Sequence, residues 1–176
     1  VNVKVGNLLA LSTFSLFSLV GCAVQDKEEP VGVREVAESR SEIKKISKGV
    51  FDAISLEGKS SNSGVGVKTC SGRERGKMYK VFYPQSFTGP SDRELSSAME
   101  NLRDDLPGRG WKIVEYGPND SPNRSLTLLA DHREERFSVE ITHMRGDRRE
   151  GAEPKLLIWV VSACYEVPEG QEVVEF

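Results

Sequence analysis

Three cysteines, two histidines and a scatter of serines are the side chains here that could carry chemistry. Their spacing decides which chemistry is open to them. A thiol redox centre needs close, low-pKa thiols, and neither Cys70 nor Cys164 sits in a Cys-x-x-Cys pair. His132 stands beside Asp131, Glu134 and Glu135, and His143 follows eleven residues later as the continuation of an apolar alternation. That spacing matches no zinc-ligand pattern, and an extended chain between the two predicts a separation of about 30 Å, too far for one site. No Gly-x-Ser-x-Gly elbow presents a nucleophile, and the serines fall in turns and at a helix cap. Gly64, Gly66, Gly72 and Gly76 lack the Gly-Lys-Ser/Thr ending of a phosphate loop. The expectation is a protein with no catalytic residues, no metal site and no cofactor.

Arg145-Gly146-Asp147 is a tripeptide bound by some animal adhesion receptors, but Gly-Asp is also ordinary turn chemistry. Arg145, Arg148 and Arg149 cluster there, with Arg133 and Arg136 on an adjoining segment. Such a patch could meet anionic headgroups or cell-wall polymer. Asp147, Glu150 and Glu153 are interleaved with it, which reads as a solvated charged loop. Tyr79, Phe82, Tyr83, Trp111, Tyr116 and Trp159 read first as core; as a ligand pocket they would have to enclose roughly 300–1,000 Å³.

Composition narrows the class. The chain has 176 residues, enough for about one domain, with 24 Lys+Arg against 27 Asp+Glu and a net charge of −3. A charge so balanced argues against a nucleic-acid binder, and the apolar content argues against disorder. Three Cys and two His are too few for a Cys/His-dense metal module. No apolar run reaches the roughly 18–20 residues of a spanning helix.

Residues 8–20 (LLALSTFSLFSLV) are apolar and uncharged, with Lys4 as the single cation before them. The run is too short to span as an ordinary transmembrane helix and fits the apolar region of a signal peptide. It ends in Leu19-Val20-Gly21-Cys22. This resembles the lipobox of bacterial lipoproteins. The resemblance implies that the Cys22 thiol receives diacylglycerol and that residues 1–21 are cut away as a signal peptide. One acyl chain would hold marginally, at about 0.8 kcal/mol per buried CH₂, whereas two or more hold stably. The alternative is an ordinary secretory signal with a chance cysteine near its cleavage site. Polar residues from Gln25 to Pro30 read as a tether, so residues 22–32 form the lipidated cysteine and its leash.

The anchor would place the protein on the extracytoplasmic face of the cell membrane, or on the outer membrane of a two-membrane cell. Its partners would be the membrane, through Cys22, and an envelope protein or the cell wall. With Cys22 used for lipid, Cys70 and Cys164 remain, and an even pair in an exported domain suggests a disulfide. The ring would close about 95 residues, with a loop-entropy ceiling near 4–5 kcal/mol. Two buried free thiols are the alternative.

The rest of the chain supplies the scaffold. Val36, Ile43, Ile46, Val50 and Ile54 predict an amphipathic helix over residues 33–56, with Arg40 and Ser47 interrupting its stripe and Gly58 stopping it. Residues 57–64 read as a Ser/Gly loop. Residues 65–70, weakened as a strand by Gly66, and residues 77–83 read as a hairpin, the second strand ended by Pro84. Ser91 and Glu94 form a capping box before Leu95, Ala98, Met99, Leu102 and Leu106, one apolar stripe that Pro107-Gly108 closes. Four strands follow, over residues 111–116, 125–130, 136–144 and 155–164. The last contains LLIWVV, apolar on both faces, and so reads as a central strand covered on both sides.

The fold class expected is α+β: a single domain over residues 33–165, mainly an antiparallel sheet of about six strands packed by two helices, preceded by the cleaved signal peptide. An acidic tail, residues 166–176, follows and reads as loosely held. This order, with the lipobox, Arg109-Gly110-Trp111 and a late Ser-x-Cys, resembles small exported lipoproteins of uncharacterised function from Gram-positive actinobacteria. The resemblance brings no activity. The expected function is a non-catalytic binding or accessory role at the cell envelope. The alternatives are a small-molecule carrier or sensor, and an envelope enzyme whose site would show as a cleft gathering polar residues.

Overall fold

The computed structural model describes residues 28–147 and 151–173; Cys22, the segment before it, Arg148, Arg149 and the last three residues lie outside them. The elements run α1 (Val36–Ile54), β1 (Lys59–Asn62), β2 (Gly66–Thr69), β3 (Met78–Thr88), α2 (Asp92–Asp105), a 3₁₀ turn (Leu106–Arg109), β4 (Trp111–Pro118), β5 (Leu126–His132), β6 (Phe137–Met144), β7 (Lys155–Ser162) and β8 (Tyr165–Glu166). They build one α+β domain. Its sheet has eight strands in the order β1-β3-β7-β6-β5-β4, with β2 and β8 also paired to β3. Every pairing between these strands is antiparallel.

Both helices form for the reasons their patterns give. In α2 the Ser91 hydroxyl accepts from the Glu94 N–H and donates to the Glu94 carboxylate, and Leu95, Ala98, Met99 and Leu102 are all buried. Gly110, at φ 87°, takes the left-handed turn that starts β4. In α1 the buried stripe is Ser39, Ile43, Ser47, Val50 and Ile54, steps of three and four residues. Ser47 does not interrupt the packing. It donates to the Gln85 side chain, and the Ser39 hydroxyl lies 2.8 Å from that of Tyr79, so each polar group in the stripe is satisfied on β3. Helix α1 ends at Ile54 with Ser55 left-handed (φ 52°), three residues before Gly58. Gly58 serves a close approach instead: a Cβ there would lie 2.4 Å from the Phe87 ring.

Two strands exceed the six expected. Strand β1 falls in the segment read as a loop, because its sequence, KSSN, is exposed throughout and has no apolar alternation. Only its ladder to residues 85–88 of β3 makes it a strand. Strand β8 pairs Tyr165 and Glu166 with the start of β3. Nor does Pro84 end β3. Residues 79–82 pair with β2 and residues 85–88 with β1, so Pro84 sits at the changeover. Its carbonyl accepts from Ser63 on that side, so its missing N–H points to the same gap and the ladder to β7 loses nothing.

Segments read as peripheral are docked. Of the tether, the Glu28 N–H donates to the Ser71 carbonyl, the Val31 N–H to the Cys164 carbonyl, and Gly32 accepts from Glu166. Of the acidic tail, Val167 is buried and the Val173 N–H donates to Gly76. Local sequence carries no signal for either, since both are held by backbone bonds to distant residues.

The helices contact β3, β6 and β7, and the core lies between helices and sheet. Strand β7 is central, between β3 and β6, but among the described residues it is covered on one face only. Leu156, Ile158 and Val160 are buried under the helices, whereas Leu157 and Trp159 are each 41% exposed on the other face. The apolar run therefore marks a central position without a second covering layer. Ile158→Ala is expected to cost about 2–5 kcal/mol, the usual price of a core truncation, and Leu157→Ala less than about 1 kcal/mol. Urea unfolding of the two variants checks this; equal losses would show a covered second face.

Candidate functional site

The sequence-picked groups do not converge. Cys70 and Cys164 are disulfide-bonded, with Cα atoms 6.0 Å apart, tying the end of β2 to the turn after β7. His132 pairs in register with Phe137, so six strand residues separate it from His143, about 20 Å by strand rise. The separation is shorter than the 30 Å expected because the turn between β5 and β6 folds the chain back. It is still too long for a shared site. His132 is held as a packing group: its Nδ1 accepts from the Glu135 N–H and its ring meets Trp111 edge-on at 5.3 Å. Gly110 clears the space, since a Cβ there would come 2.8 Å from His132 Nε2. The Arg109-Gly110-Trp111 motif is thus a turn built around this histidine.

His143 is buried under α2, with Nε2 3.2 Å from Asp92 Oδ1. The same oxygen accepts the Gly146 N–H, and Asp147 and Ala152 exchange backbone bonds beyond it. Arg145-Gly146-Asp147 therefore begins a loop clipped to the start of α2. Beside it lies a cleft of about 710 Å³ lined by Pro90, Ser91, Asp92, Gly146, Ala152 and Pro154 among others, with no aromatic side chain. Tyr79 and Trp111 are in the core, and Tyr116 lies under the Arg103 guanidinium, 5.1 Å from its ring centre. The six aromatics singled out from the sequence share no pocket. Among the described residues no three His, Cys, Asp or Glu side chains are grouped so that they could hold a metal ion.

What the fold does bring together is the helix-free face of the sheet. Register puts Phe82, Pro84 and Ser86 of β3 beside Val161, Trp159 and Leu157 of β7, and these beside Ser138, Glu140 and Thr142 of β6. The Trp159 ring is stacked on Phe82, centroids 5.3 Å apart and planes within 8°. Phe82 in turn lies across Gly66 of β2, where a Cβ would come within 2.2 Å of its ring, and the Lys68 ammonium lies 5.6 Å from its centre. Gly66, which weakens its strand as read from sequence, is the recess that lets this aromatic pair lie down.

The face is divided in charge. On the half made by β1, β2, β3, β7 and β8, its outward positions carry Lys59, Lys68, Lys80 and Lys155, with Glu166, opposite Met78, the carboxylate among them. On β4, β5 and β6 they carry Glu115, Asp131 and Glu140, with Lys112 the cation among them. Glu28 joins the basic half at its rim by an ion pair with Lys80. Burial pushes the Glu28 carboxyl up, but the Lys80 hydrogen bond, the Ser71 N–H and the charges of Lys80 and Lys68 outweigh it, and its pKa ends below the usual carboxylate value. Leu157 and Trp159 could not be assigned to a site from sequence, because a two-sided apolar run signals burial until the layers are known.

No protein-family model, curated protein or solved structure matches this chain. Among the described residues the fold is a two-layer α+β domain with one sheet face uncovered, and the reading of its role rests on that geometry.

For His143, burial disfavours the imidazolium and outweighs the Asp92 contact that favours it, so its pKa is lowered. Arg145 pushes in the same direction as burial. Between that lowered value and the unfolded value near 6.5, the unfolded chain binds the extra proton. The contribution is whole above about pH 6.5 and is lost as pH falls through the lowered value. In a pH series of urea midpoints, His143→Gln is expected to decline less steeply than the parent as pH falls from about 6.5 to the lowered value; parallel declines would remove His143 as the cause.

Proposed function

We propose that this chain is a lipid-anchored envelope protein. Cys22 carries the lipid, residues 1–21 are removed, and the domain serves a non-catalytic binding or accessory role on the extracytoplasmic side of the membrane. The observation that carries the reading is the docked segment at Glu28–Gly32. Glu28 is paired with Lys80 and bonded to Ser71, Glu29 is paired with Arg73, and Val31 is bonded beside Cys164. Only five residues, or six peptide steps, separate Cys22 from this fixed point, a reach of at most about 20–22 Å. An anchor at Cys22 would therefore hold the domain at the bilayer surface rather than on a long leash. The Cys70–Cys164 disulfide is consistent with an extracytoplasmic compartment. Among the described residues no helix is long and apolar enough to cross a membrane.

Intact mass and membrane fractionation of the native protein test this beside a Cys22→Ala variant. The parent is expected in the membrane fraction, beginning at Cys22, with added acyl mass and no free thiol after denaturation without reductant. The variant is expected to lose the acyl mass and the cleavage before residue 22. A parent that is soluble and unmodified would defeat the reading.

A further inference from the structure

The point at which the described chain begins and the face that the helices leave bare lie on the same side of the sheet. Lys80, which binds Glu28, belongs to the alternation Lys80, Phe82, Pro84 on the open face of β3. Glu28, Lys80, Asp131, Ser138 and Val161 line one shallow cleft of about 340 Å³ there. The chain thus reaches the domain at the open-face rim, near the disulfide. Pro84 is the register partner of Trp159, four residues from Lys80, so Trp159 lies about 13 Å along the sheet from that rim. The leash from Cys22, at most about 20–22 Å, is longer than that distance.

The half of the face that includes Lys80 has features of a bilayer interface. Trp159, stacked on Phe82, presents a partly exposed indole, and Leu157 lies two residues further along the strand. Tryptophan rings favour the headgroup level, and lysine stems lie along apolar surface while their ammonium groups reach for phosphate. Lys59, Lys68 and Lys155 lie around the apolar pair on one side; on the other, Glu140 of β6 stands directly beside Trp159, with Glu115 two strands further out. The chain as a whole is acidic, at −3, so this half departs from the average in the sign that anionic lipid attracts.

We propose that the basic half of the open face, with Trp159 and Leu157 along its border with β6 and Lys59, Lys68 and Lys155 beyond them, lies against the phosphate-bearing surface of the bilayer that holds the anchor. The inference rests on the anchored reading above and adds an orientation to it. The helix layer and the cleft at the start of α2 then face away from the membrane, toward the wall and envelope proteins. The lipid chains supply the attachment, and the sheet face sets which way the domain lies.

The test uses the full native protein, reconstituted into vesicles of phosphatidylglycerol and phosphatidylcholine with brominated acyl chains, which quench tryptophan on contact. Flotation of the vesicles reads anchoring, and tryptophan emission reads orientation. Trp111 is buried beside His132, so the difference between the parent and Trp159→Phe isolates the Trp159 signal. The expected result is flotation with loss of most of the Trp159 emission, and recovery of that emission in a Lys68→Glu, Lys155→Glu double variant that still floats. Both lysines are exposed, so the double variant spares the core. Flotation with Trp159 unquenched and open to aqueous acrylamide overturns the orientation and leaves the anchor standing. A face occupied by a glycan or a protein would give no lipid quenching either, and would equally overturn it. Quenching that the charge reversals leave unchanged overturns the role of the lysines in setting it. A parent that does not float overturns the anchored reading and this inference with it.

Discussion

Strand β3 is the constraint on which the rest of the structure depends. Its eleven residues are paired along both edges, to β1 and β2 on one side and to β7 and β8 on the other. Every donor and acceptor of a buried strand needs a partner, and no single neighbour here is long enough to supply them. Four short segments share the task. The changeover from β2 to β1 leaves a gap, and that gap is where a proline can sit without breaking a ladder. The same strand supplies Tyr79 and Gln85 to the serines of α1, so the helix layer is registered against it by hydrogen bonds as well as by packing.

The other face follows from the same strand. With both helices on one side, the alternate residues of β3 and β7 meet no second layer. A bare sheet face of this kind is ordinarily polar. Here its centre holds the Trp159–Phe82 pair and Leu157, with lysines mostly on the β3 side and carboxylates, Glu140 beside Trp159 among them, mostly on the β6 side. An arrangement in which a glycine makes room for a phenylalanine, and the phenylalanine supports an exposed tryptophan, is more specific than solvation requires. The edges are quieter: β1 and β2 are four residues each, and β4 carries a register shift around Val114. Short or bulged edges disfavour strand addition.

The helices were the most legible part of the chain because their signals are local. The Ser91–Glu94 box and the stripe from Leu95 to Leu106 lie within one short stretch and predict the same element. The alternation of Phe137, Val139, Ile141 and His143 likewise stated which face of β6 is buried. The candidate site was less legible. Trp159 was recognised as an aromatic and weighed as core, and only the missing second layer turned it into a surface group. Gly66 was read as a weakness in a strand, and its use depends on a ring sixteen residues away. Strand β1 and the docked residues on either side of the domain left no local mark, since backbone hydrogen bonds to distant partners leave none in composition.

By itself the sequence determined the α+β class, both helices, most of the strands and the pattern of their buried residues. These follow from periodicity and capping, which act over a few residues. It also carries the lipobox-like Leu19-Val20-Gly21-Cys22 motif, which is a statement about processing rather than folding. The tertiary structure alone decided that β7 is covered on one side, that β3 runs through Pro84, and that the segment from Glu28 packs against the disulfide end. Each of those depends on which distant segments compete for the same strand edge or sheet face, and such competition is settled by the whole packing arrangement and not by neighbours in the chain.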